Sequence, residues 1–150
     1  MRYITQRDNF RCAPIAFCNA LKFQGYRVTW KHVLKLAEAM ETCPEKPGTY
    51  RCNILRTAKG FGYPRMRAPT VEKISQFLKL GHAVIARYDV GPKNGHVVLF
   101  AGIDRWNRIL VVNMFTSGPR WVKRSYIRKT CSGDLVAFRV YTTIFSPGVL

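Results

Sequence analysis

A chain of 150 residues, 47% of them hydrophobic, suffices for one domain with an ordinary core, and its longest apolar runs, such as Val97 to Ile103, are too short to cross a bilayer. The N-terminus, Met1-Arg2-Tyr3-Ile4-Thr5-Gln6, lacks the apolar stretch of a secretory signal, so the chain reads as soluble and cytoplasmic, with no membrane partner. The net charge of +17 comes from 25 Lys and Arg against 8 Asp and Glu, which makes nucleic acid or an acidic protein a candidate partner, although no helix-turn-helix or RNA-recognition motif is visible.

The first predicted element starts at Cys12. Ile15, Ala16, Leu21 and Phe23, with Phe17 and Cys18 beside them, give the wide apolar face of a buried helix that Gly25 ends. Pro14 suits its first turn, where a proline gives up no helical hydrogen bond. Cys12 in that turn would meet unpaired N–H groups and the positive end of the helix dipole, which favour a thiolate. Gln6, six residues upstream, carries an amide able to donate to a developing oxyanion.

Thr29 caps a second helix through Met40, with Trp30, Val33, Leu34, Leu36 and Ala37 apolar. Cys43 to Gly48 is a loop, Asn53 to Lys59 a third helix, and Gly62-Tyr63-Pro64 a turn. Thr70 to Lys73 opens a fourth helix, with Ile74, Phe77, Leu78 and Leu80 on its apolar face before Gly81.

The period changes after His82. Ala83 to Tyr88 reads as a strand, Gly91-Pro92-Lys93-Asn94-Gly95 as a turn, His96 to Ile103 as a strand, Arg105-Trp106-Asn107 as a turn and Ile109 to Val112 as a strand leading to Asn113. Trp121 to Tyr126 and Leu135 to Phe145 are further strand candidates. Helices first and strands second make an α+β pattern in a single domain spanning 1–150. The basic residues concentrate in Arg65 to Arg67, Arg105 to Arg108 and Arg120 to Lys129. Five cysteines (Cys12, Cys18, Cys43, Cys52, Cys131) without a C-x-x-C pair indicate neither a disulfide framework nor a zinc site, and no cofactor is implied.

Two adjacent antiparallel strands would bring His96 and Asn113 together. A cysteine at a helix start, a histidine on a sheet and an amide that orients the imidazole form the general arrangement of thiol catalysis. Each residue also has a plain structural reading: Cys12 as an inert core thiol, His96 as a turn-flanking residue, Asn113 as a strand-end polar group. His32 reads as part of a helix surface and His82 as a helix-end residue.

Together these stretches resemble the papain-like cysteine peptidases, and within them the compact bacteriocin-processing group that removes double-glycine leaders. The resemblance rests on Gln6 ahead of Cys12, the helix ending near Gly25-Tyr26, Gly81-His82-Ala83-Val84-Ile85-Ala86, Gly95-His96-Val97-Val98-Leu99-Phe100-Ala101-Gly102 and Val111-Val112-Asn113. It implies a papain-like fold, with Cys12 as nucleophile, His96 as base, Asn113 as orienting residue and Gln6 in the oxyanion hole, acting on a protein or peptide substrate. The chain departs from the family at Ala13, where glycine is usual, at Asn113-Met114, where aspartate-proline is common, and at Arg11. A deamidase, acyltransferase or deconjugating relative would use the same chemistry. The alternative is a basic protein that keeps the fold without catalysis and binds nucleic acid or an acidic partner. Its size and charge would suit a phage protein acting inside a host cell.

Overall fold

The alternation that begins at Ala83 builds the centre of the molecule. In the computed structural model, which describes residues 3–45, 48–60, 65–66, 70–89, 95–112 and 118–138, the chain runs α1 (Cys12–Phe23), α2 (Trp30–Ala39), α3 (Arg51–Gly60), β1 (Arg65–Met66), α4 (Val71–Lys79), β2 (Ala83–Asp89), β3 (Gly95–Ile103), β4 (Arg108–Val112), β5 (Arg120–Lys123), α5 (Arg124–Thr130) and β6 (Cys131–Phe138). The strands pair antiparallel throughout, in the order β1-β6-β2-β3-β4-β5. The α+β architecture is as the periodicity implies.

Side chains alternate across a strand, so β3 feeds two cores. Leu99 and Ala101 join Ile85 and Val112 beneath α1, α2 and α3, where Ile15, Phe17, Val33, Leu36, Met40 and Ala58 are buried. Val98 and Phe100 join Val84, Ala86, Ile109 and Val111 on the opposite face, covered by Val71, Ile74 and Leu78 of α4 and Ile127 of α5. Helix α1 is buried on all sides from Cys12 to Leu21, which explains why its sequence carries no polar stripe.

Helix ends follow the sequence signals. Gly25 adopts φ +94°, the N–H of Tyr26 donates to Leu21 C=O at 3.1 Å and that of Gly25 to Lys22 C=O at 3.0 Å, the paired bonds of a Schellman cap. The N–H of Lys73 donates to the Thr70 hydroxyl at 3.2 Å, capping α4. At α2 the N–H of Thr29 donates to Nδ1 of His32 at 3.1 Å, so this histidine closes its own helix start.

Several expectations are corrected. The strand expected from Trp121 to Tyr126 stops at Lys123, and Arg124 begins α5. Among residues 124–129 of that helix only Ile127 is buried, in the core covered by α4. Leu34 and Leu80, counted on apolar faces, are exposed: Leu34 lies one position off the Val33, Leu36, Ala37 stripe, and Leu80 is the residue that caps α4. The last strand begins at Cys131, and β1 is an additional short strand paired with it. The turn at Gly62 to Pro64 and residues 91–94 of the turn expected to end at Gly95 lie outside the described residues, as does the end of the strand expected to reach Phe145, and Gly95 itself begins β3. No helix among the described residues is long and apolar enough to cross a membrane.

Candidate active site

The segment leading into α1 is fixed by one buried amide. Asn19, fully buried on α1, accepts the N–H of Ile4 at 2.8 Å and donates to the Ile4 C=O at 3.0 Å. A side chain thus supplies both bonds that a neighbouring strand would otherwise make. Two residues further on, Gln6 donates through Nε2 to the Asp8 C=O at 2.5 Å, while its Oε1 is buried with no hydrogen-bond partner among the described residues. One of the two N–H groups of the Gln6 amide is thus engaged within its own loop.

Asp8 shapes the final turn before the helix. Its Oδ1 accepts the N–H groups of Phe10 (3.1 Å) and Arg11 (2.8 Å), and its Oδ2 pairs with the Arg11 guanidinium at 2.7 Å. Burial alone would raise the Asp8 carboxyl, but the Arg11 and Phe10 N–H groups and the Arg11 charge outweigh it and hold the group below its ordinary value.

Cys12 is the first residue of α1 and 6% exposed. Burial pushes its thiol up; the backbone N–H groups of Val97, Ala13 and Cys12 itself oppose this, and the Asp8 charge adds to the rise. The net direction is upward, which corrects the expectation of a favoured thiolate: burial wins over the helix start. Cys18, on the same helix, is pushed up to about 12 by burial. Cys12, Cys18, Cys43 and Cys52 are all free thiols.

The contact with Val97 joins α1 to the start of β3. His96 is the preceding residue, opposite Tyr88 in the β2–β3 register, and only 3% exposed. Gly95 precedes it at a place where an added Cβ would meet the Arg87 guanidinium, the far end of a flexible side chain. The structure thus sets the Cys12 sulfur against the residue next to His96 and buries both side chains. Asn113 lies outside the described residues; the described part of β4 ends at Val112, opposite Leu99. His32 is engaged at Thr29, and His82 packs edge-on against Phe77 with ring centroids 5.2 Å apart.

Asn19, Asp8 and Arg11 were missed in the sequence. Asp8 three residues before Arg11 is a readable turn signal, whereas nothing local marks Asn19 as the anchor of Ile4.

No protein-family model matches the chain, and no curated protein matches it. Solved structures do. The peptidase domain of Streptococcus ComA, a bifunctional ABC transporter involved in quorum sensing, superposes with a TM-score of 0.70 at 18% identity, over 90% of this chain and 94% of that one. A double-glycine-motif protease from an AMS/PCAT transporter, in complex with its leader peptide, gives 0.66 at 14% identity over 90% and 88%. A C39-like peptidase from Bacillus anthracis gives 0.68 at 14% identity over 93% and 94%. At these identities the likeness establishes the fold: helices on an antiparallel sheet, as in papain-like C39 peptidase domains.

Proposed function

We propose that this chain is a papain-like cysteine peptidase in which Cys12 attacks a peptide carbonyl, His96 is the base, Asn113 orients the imidazole and Gln6 assists at the oxyanion. The observation that carries the reading is the place of Cys12: first turn of the central helix, sulfur against the backbone N–H of the residue following His96. The fold shared with double-glycine leader peptidases, one of them holding a peptide, supports a peptide substrate.

Burial disfavours the Cys12 thiolate, so in this reading proton transfer to His96 accompanies attack. The Sγ–H proton passes to His96 as the S–C bond forms. It then passes to the leaving amine as the C–N bond breaks, and water hydrolyses the thioester, returning the thiol. Deamidation and acyl transfer differ only in the leaving group and the final acceptor.

The second reading, a protein that keeps this fold without catalysis, draws on the raised thiol and on the Gln6 donor spent on Asp8. Incubation with a mixed peptide library, read by mass spectrometry, separates the two. Peptidase activity is expected to produce cleavage that falls at least ~10³-fold in both Cys12→Ala and His96→Ala. Absence of cleavage, or cleavage that survives Cys12→Ala, favours the second reading.

A further inference from the structure

One edge of the sheet ends on β5, and the groove between β5 and α5 is lined by Arg120, Val122, Lys123, Ser125, Tyr126 and Lys129, with a volume of about 380 Å³. No carboxylate is among these lining residues. Glu72 on α4 pairs with Arg124 at 3.3 Å and Arg128 at 2.6 Å, while Ser125, Tyr126 and Lys129 line the groove. No ion pair among the described residues engages Arg120, Lys123 or Lys129.

On the other face of the same edge, which carries Trp121, cations and aromatic rings interleave. Arg105 lies 4.1 Å from the Trp106 ring, and Arg108 lies 4.8 Å from Trp106 and 5.9 Å from Trp121. Arg108 and Lys123 stand directly opposite in the β4–β5 register, and Arg108 is paired with Asp104 at 2.7 Å, so Lys123 is the cation of this pair that carries no carboxylate partner among the described residues. Trp106 is 62% exposed, Trp121 44% and Tyr126 46%, so large apolar faces meet solvent among charges. Cations alone would serve any polyanion. Exposed aromatic faces beside them add a surface on which unpaired bases stack, which an acidic peptide does not use and a duplex does not offer.

We propose that the β4–β5–α5 edge binds single-stranded nucleic acid, with backbone phosphates held by Arg120, Lys123 and Lys129 and bases stacked on Trp121 and Tyr126. None of these residues is among those proposed to act with Cys12.

The test is fluorescence anisotropy with labelled oligothymidylate and the full chain, at low and moderate salt. Affinity is expected to fall with salt, and the combined variant Arg120→Glu, Lys123→Glu, Lys129→Glu to lose at least about tenfold in affinity and about two units of log–log salt slope, as three phosphate contacts imply. A control with the same charge change on α2 and α3 (Lys31→Glu, Lys35→Glu, Lys59→Glu) is expected to lose much less. Trp121→Ala is expected to cost about tenfold with the slope unchanged. Cys12→Ala is expected to bind as the wild type does. Circular dichroism checks that each variant is folded. Equal losses in the two charge variants, no effect of Trp121→Ala, tighter binding of duplex, or competition by polyglutamate as effective as by unlabelled oligothymidylate would each overturn the proposal, the last in favour of an acidic protein partner.

Discussion

The Asp8 carboxylate forms the loop ahead of Cys12 and also disfavours the anion of the sulfur that follows it. Replacing it by Asn keeps an acceptor for the Phe10 and Arg11 N–H groups and removes the charge. The pH profile of Cys12 alkylation by iodoacetamide, followed by peptide mapping, is therefore expected to move to lower pH in Asp8→Asn; an unchanged profile would show that burial alone sets the thiol. The same carboxylate has a folded value below its unfolded one, so its contribution to stability is present above the unfolded pKa, about 3.9, and is lost as pH falls through the folded value. Urea denaturation at several pH values is expected to show wild type more stable than Asp8→Asn at pH 5, with the gap closing below about pH 4. Cys12 itself was legible from Pro14 and the apolar run behind it. The direction of its thiol shift was not, because the Val97 donor and the covering side chains come from β3 and other elements distant in sequence.

Element ends were the most readable features of the chain, because a cap is local chemistry. Gly25 at φ +94° is one such case, and Gly25→Ala is expected to cost about 1–2 kcal/mol by chemical denaturation, the price of a left-handed Cβ. Helix α5 is the opposite case. Its sequence, Arg124-Ser125-Tyr126-Ile127-Arg128-Lys129-Thr130, is polar apart from Ile127 and Tyr126, and what holds it is the burial of Ile127, with Glu72, more than fifty positions away in sequence, pairing Arg124 and Arg128 at the surface. Ile127 is fully buried against Val71, Ile74 and Phe100, so Ile127→Ala is expected to lose about 2–5 kcal/mol, whereas Tyr126→Ala, on the exposed side, is expected to lose far less. The β2–β3–β4 order could be read from short turns between consecutive strands. The insertion of β6 between β1 and β2 could not, since that pairing spans much of the chain.

At the scale of the whole molecule, one sheet separates two cores, and β3 contributes side chains to both. Phe17→Ala beneath α1 and Phe100→Ala beneath α4 are each expected to cost about 3–5 kcal/mol and to lower one common unfolding transition, observed together by far- and near-ultraviolet circular dichroism. Two separated transitions would mean that the faces unfold independently. A charge of +17 also repels itself in the folded state, so the melting temperature is expected to rise with added sodium chloride as the repulsion is screened. The clasp between Asn19 and Ile4 lies outside this shared transition in one respect. It is the hydrogen-bonded part of an attachment completed by Tyr3 and Ile4 on the α1 core and by Arg7 over Trp30, and an attachment at the edge of one core can open while both cores stay closed. If Gln6 serves the reaction, warming would then disarm the protein several degrees before it melts, and Asn19→Ser would widen that interval between the temperature of inactivation and the temperature of unfolding.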